Sequence, residues 1–148
     1  MHDKSKAFSL IELVFVIAVI GILAAIAFPK LTATRSDAQY VAINSDMQTI
    51  ISSIQAHALT TDLGSQTLNG ALIMQVAGLS PSRWIASTNG VRLAKNGAID
   101  TTNNCVSIDI TNLHLIVSVQ NLPNSPLCVK LAKNYPTPLN INLANTTF

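Results

Sequence analysis

KAFSLIELVFVIAVIGILAAIAFPK, residues 6–30, decides the fold. From Phe8 to Phe28 every position is apolar except Ser9, Glu12 and Gly21. Wound as a helix, the run measures roughly 30 Å, about the thickness of a bilayer's hydrocarbon core. A lone carboxylate is costly in that environment, and the run contains no cation to pair with Glu12. Its partner must come from outside the chain or from a group newly made within it.

The whole chain has 148 residues, 49% hydrophobic and only 11% charged. Soluble domains carry about 25% charged residues. The mean hydropathy of +0.40 reflects mainly the first thirty positions. The residues after that run suffice for one small domain. The net charge of +2 is small and dispersed, so composition makes no case for nucleic acid. Lys4 and Lys6 precede the apolar run, which favours a cytoplasmic N-terminus and an exported remainder. Cys105 and Cys128 lie in that remainder. An even count in an oxidising compartment favours one disulfide, the alternative being two buried free thiols.

Three readings compete for the run. In a secretory signal, "AIA" at 25–27 would be the cut site and the mature chain would begin at Phe28. The run is longer than such signals usually have, and Glu12 is poor signal chemistry. An ordinary single-span anchor leaves Glu12 unexplained. The third reading is a resemblance. A short basic leader, a small residue, then "FSLIELVFVIAVIGILAAIAFP" resembles the class III signal of type IV pilins and type II secretion pseudopilins. The matching positions are the Ala7–Phe8 junction, Glu12, Gly21 and Pro29. Ala7 stands where the family usually has glycine.

The resemblance implies cleavage by prepilin peptidase after Ala7 and methylation of the new amine on Phe8. It implies that Glu12 of one subunit pairs with the Phe8 amine of a neighbour during assembly. A cation in the same low-dielectric layer would offset much of the cost of burying the acid. The competing state of Glu12 is a protonated, neutral carboxyl. The partners implied are copies of the chain or other pilins in a helical filament, the peptidase, and an inner-membrane assembly platform with its ATPase. The resemblance also makes Gly21–Pro29 a pliable segment; a simple kink at the membrane exit is the alternative. The location implied is the bacterial inner membrane, then a pilus or periplasmic pseudopilus.

Helical periodicity continues past Pro29. Ile43, Met47, Ile50, Ile51, Ile54 and Ala58 fall on one face, with polar residues between them. One helix is expected from Phe8 to Leu59, with Gly64 as the stop. "NGALIMQVAG" (69–78) reads as a short helix or a buried run. Strands are expected at 83–87, 91–94, 105–110, 113–119 and 126–132. Turns are expected at Asn89-Gly90 and Asn96-Gly97, and a loop at 120–126. In "CVSIDI" (105–110), Val106, Ile108 and Ile110 share the face that should meet the helix stripe. The tail from Asn134 reads as a surface segment. A Cys105–Cys128 bond would tie the strand near 105 to the last strand.

The expected fold is therefore α+β and pilin-like, one long N-terminal helix on a small antiparallel sheet. Its parts are a leader (1–7), a membrane or filament-core helix (8–28), an amphipathic continuation (29–60) and a β-rich exported domain (61–148). No catalytic constellation, cofactor motif or metal-ligand spacing is present. His2, His57 and His114 are scattered, and Trp84 and Tyr40 read as core or contact aromatics. Arg83, Arg92, Lys95, Lys130 and Lys133 could form a basic face, but without interleaved aromatics they do not suggest nucleic acid. The rival from another class is a secreted or membrane-anchored binding protein.

Overall fold

The computed structural model describes residues 8–144, the side chains of 28–34 excepted. The chain divides after Asp37 into two compact units, and a single helix, α1 (Leu10–Thr60), contributes to both. Along Leu10–Ala27, in the first unit, α1 is apolar on all sides apart from Glu12, and not one of these residues is buried. In the second unit its character changes. Ile43, Met47, Ile50 and Ile54 are buried, with Ile51 and Ala58 packed at the edge of the same core. These are the positions that one face of a helix brings together.

The helix stops at Thr60, four residues before Gly64. Gly64 lies instead in a 3-10 turn, Leu63–Ser65, whose N-cap Asp62 accepts a hydrogen bond from the Gly64 amide at 3.0 Å. Next comes α2 (Gly70–Val76), capped by the Asn69 side chain accepting from Leu72 N. Its start presses on the following hairpin. A Cβ on Gly70 would lie 1.9 Å from the Gly90 carbonyl oxygen, so only glycine fits there.

Among the described residues six strands follow: β1 (Trp84–Ala86), β2 (Gly90–Lys95), β3 (Ala98–Ile99), β4 (Val106–Thr111), β5 (His114–Val119) and β6 (Leu139–Asn142). All pairings are antiparallel, in the order β1-β2-β4-β5-β6, and β3 pairs with the far end of β2. The register stacks apolar residues on the inner face: Val91 opposite Ile108, Ile108 opposite Val117, Ile110 opposite Leu115. Val106, Ile108 and Ile110 are buried while Ser107 and Asp109 are half-exposed, the alternation expected of a one-sided sheet. These residues join the α1 stripe in one core that also holds Trp84.

Two turns have distinct chemistry. Asn96 (φ 55°) and Gly97 (φ 79°) make the left-handed pair that closes β2–β3. Between β4 and β5 the same role falls to Asn112 (φ 51°) and Leu113 (φ 63°). The strand expected from Leu113 begins instead at His114. A leucine in this region costs about 1–2 kcal/mol. Its side chain packs at the core edge and its carbonyl accepts Leu143 N at 2.8 Å.

Two larger corrections concern the C-terminal part. Residues 126–132, expected as a strand, form α3 (Pro126–Asn134), with Ser125 as N-cap and Pro126 in the first turn. Leu127, Cys128 and Leu131 are its buried face. The disulfide Cys105–Cys128, with Cα atoms 5.8 Å apart, therefore ties the start of β4 to a helix and not to a last strand. The tail, expected as a surface segment, is exposed over most of Leu139–Asn142 and contributes β6 along the open edge of β5.

Candidate functional site

The sequence points to the N-terminal end of α1, so that end is built first. Phe8 is 77% exposed, and Leu10, Ile11, Phe15 and Ile17 are all at least 60% exposed. The apolar window Leu10–Ala27 has a mean hydropathy of 2.9. It rises about 27 Å, enough for the hydrocarbon core of a bilayer. By length and composition it is the helix among the described residues that can cross a membrane.

Glu12 sits in the first turn of this helix. Its backbone N–H donates to Ser9 O at 3.0 Å. The side chain is exposed, and among the described residues none forms an ion pair with it. The unpaired amides of a helix start favour an anion at that position, which lowers but does not remove the cost of placing it in lipid. Gly21 meets nothing within 4 Å of where a Cβ would stand, so no packing among the described residues requires it to be glycine. α1 is helical through Gly21 and Pro29. Ala7 lies outside the described residues.

The remaining candidates fall in the second unit and serve its packing. Asp46 on α1 takes Arg83 Nε at 2.9 Å, Arg83 Nη2 at 3.1 Å and Trp84 Nε1 at 2.8 Å, fastening the helix to β1. Arg92 donates to Asp109 at 2.8 Å on the sheet's outer face. Two cations of the suggested basic face are thus engaged with carboxylates. Tyr135 Oη donates to Asn44 and accepts from Gln48, while Asn134 donates to Tyr40 Oη. His57 pairs with Gln66 and His114 with Asn140. Among the described residues no three His, Cys, Asp or Glu side chains converge to hold a metal.

One polar network escaped sequence reasoning. Asp100 accepts from Thr102 N, Asn103 N and Asn103 Nδ2 at 2.9–3.1 Å. Burial pushes its carboxyl up, but the hydrogen bonds from Asn103 and Thr102, with Lys95 nearby, outweigh that and hold it below its ordinary 3.8. Asn103 Oδ1 in turn accepts from Ser125 Oγ at 2.6 Å, and Ser125 Oγ accepts from Cys128 N at 3.2 Å. The Ser125-Pro126 pair was the available signal, since both residues favour a helix start.

An exposed apolar helix of membrane length, an acid in its first turn and an α+β unit with a one-sided antiparallel sheet define a pilin-like chain. Residues 2–28 match the family model of the prokaryotic N-terminal methylation motif. This chain therefore carries the class III prepilin signal of type IV pilins and pseudopilins. Compared with curated proteins, the chain matches none. Compared with solved structures, it likewise matches none.

Proposed function

We propose that this chain is a structural subunit of a type IV pilus or a type II secretion pseudopilus. Prepilin peptidase cuts after Ala7, the new amine on Phe8 is methylated, and subunits polymerise through Leu10–Ala27. The observation that carries this reading is an entirely unburied apolar helix with one acid, Glu12, unpaired among the described residues, inside the stretch that the methylation motif matches. Cleavage supplies what Glu12 lacks: an α-amine, cationic at neutral pH, on the fourth residue before it. Among the described residues none buries this apolar surface, so lipid holds it before assembly and sister helices after. Before assembly the exported unit, residues 38–148, lies outside the inner membrane. The chain supplies the building block; the assembly platform and its ATPase supply the work. The reading assigns this chain no catalysis.

Mass spectrometry of the native protein tests the processing, and a mature chain beginning at Phe8, methylated or not, is expected. A chain that starts at Phe28 or retains Met1 overturns the reading in favour of a secreted or anchored protein. Glu12→Ala tests assembly: cleavage is expected to continue while filament yield falls at least tenfold. Wild-type yield from that variant removes Glu12 from the mechanism.

A further inference from the structure

Two connections, one covalent and one not, join the same two places in the fold. The Cys105–Cys128 disulfide links the start of β4 to the first turn of α3. Beside it runs the chain Asp100–Asn103–Ser125, whose last member caps the amide of Cys128 itself. Its first half is equally close to the other cysteine: the Asn103 carbonyl accepts Cys105 N at 2.7 Å. Ser125 is 1% exposed and is the buried polar residue among those described. A buried hydroxyl is tolerated where its hydrogen bonds are complete, and here it donates once and accepts once. Both cysteines are also buried, at 2% and 0% exposure.

We propose that the Asp100–Asn103–Ser125 chain holds Cys105 and Cys128 at bonding separation whether or not their sulfurs are joined. The disulfide then closes a junction already assembled, and the network sets how far the thiol–disulfide equilibrium lies towards the oxidised protein. In that exchange the two thiols give up two protons and two electrons. A disulfide oxidant such as glutathione disulfide accepts them and leaves as two thiols, so one S–S bond forms as another breaks. Because both sulfurs are buried, exchange passes through an open form and is slow. The position of equilibrium depends only on the two end states. The proposal is independent of filament assembly.

The test equilibrates the full-length protein, in detergent, with glutathione buffers and measures the oxidised fraction. Ser125→Ala and Asn103→Ala each remove two side-chain hydrogen bonds of the network, so the reduced junction is expected to open in these variants and the equilibrium to shift towards the thiols by about threefold or more. His114→Ala, which removes the His114–Asn140 pair at the opposite end of β5, is expected to shift it less than twofold. The reduced wild-type chain is expected to keep its Trp84 fluorescence. No shift, an equal shift in all three variants, or unfolding of the reduced wild type each overturns the proposal. Should Ser125→Ala not fold, the Cys105→Ala/Cys128→Ala double variant decides by hydrogen exchange. A protected amide at position 128 supports the network, and exchange at the rate of an exposed amide refutes it.

Discussion

Along Leu10–Ala27 the helix α1 is apolar on every side apart from Glu12 and none of its residues is buried; along Ile43–Ala58 the same helix is apolar on one side and that side is covered by the sheet. Both stretches are helical, so backbone preference does not distinguish them. The difference lies around the circumference. A single stripe can be satisfied by one small sheet made from the same chain. A full cylinder of Ile, Val, Leu and Phe demands neighbours on all sides, which a domain of this size cannot provide. The second stretch accordingly belongs to folding, and under the proposed function the first belongs to assembly.

The sharpest way to break that comparison is a matched pair of truncations. Ile50→Ala is expected to remove about 2–5 kcal/mol from the unfolding free energy of the second unit, because the site is fully enclosed. Ile17→Ala, at a site 60% exposed, is expected to change it by less than about 0.5 kcal/mol. Equal losses in chemical denaturation would show that the two stretches are not energetically separate. Glycines give a second matched pair. Gly70→Ala drives a methyl into the Gly90 carbonyl and is expected to cost about 1–3 kcal/mol or more. Gly21→Ala meets open space and is expected to leave the Tm of the second unit unchanged.

Smaller effects sharpen the account of how the amphipathic half is fastened. Asp46→Ala orphans the indole N–H of Trp84 and is expected to cost about 1–3 kcal/mol. Arg83→Ala removes only a half-exposed ion-pair partner and is expected to cost less than about 1 kcal/mol. Denaturant titrations that rank these two in the opposite order would contradict the assigned roles. Asp100 gives the smallest effect. Its folded pKa lies below 3.8 and its unfolded pKa near 3.8, so its contribution is fully present above the unfolded value. It is lost as pH falls through the folded one. Asp100→Asn is expected to flatten that part of the acid stability curve.

Much of the fold was legible in the sequence, for identifiable reasons. The α1 stripe and the alternation in Val106–Ile110 are local patterns, and burial followed them. The motif around Ala7, Phe8 and Glu12 needs a fixed spacing, which a single sequence displays. Residues 126–132 misled because a short apolar run suits either a buried strand or a helix face. Ser125 and Pro126 at its start carried the better signal. β6 could not have been read locally. Of Leu139–Asn142 only Ile141 is even half-buried, and the strand exists because β5 offers an open edge. The Asp46 clamp and the Asp100 network join residues 22–38 positions apart, and no periodicity reports such meetings.

Among the described residues, every buried member of the hydrophobic core lies at Ile43 or later, and the second unit begins at Ala38. A chain shortened to start there would keep its interior complete while discarding the part that resists water. The boundary that matters for handling this protein in a test tube is therefore drawn in the middle of a helix.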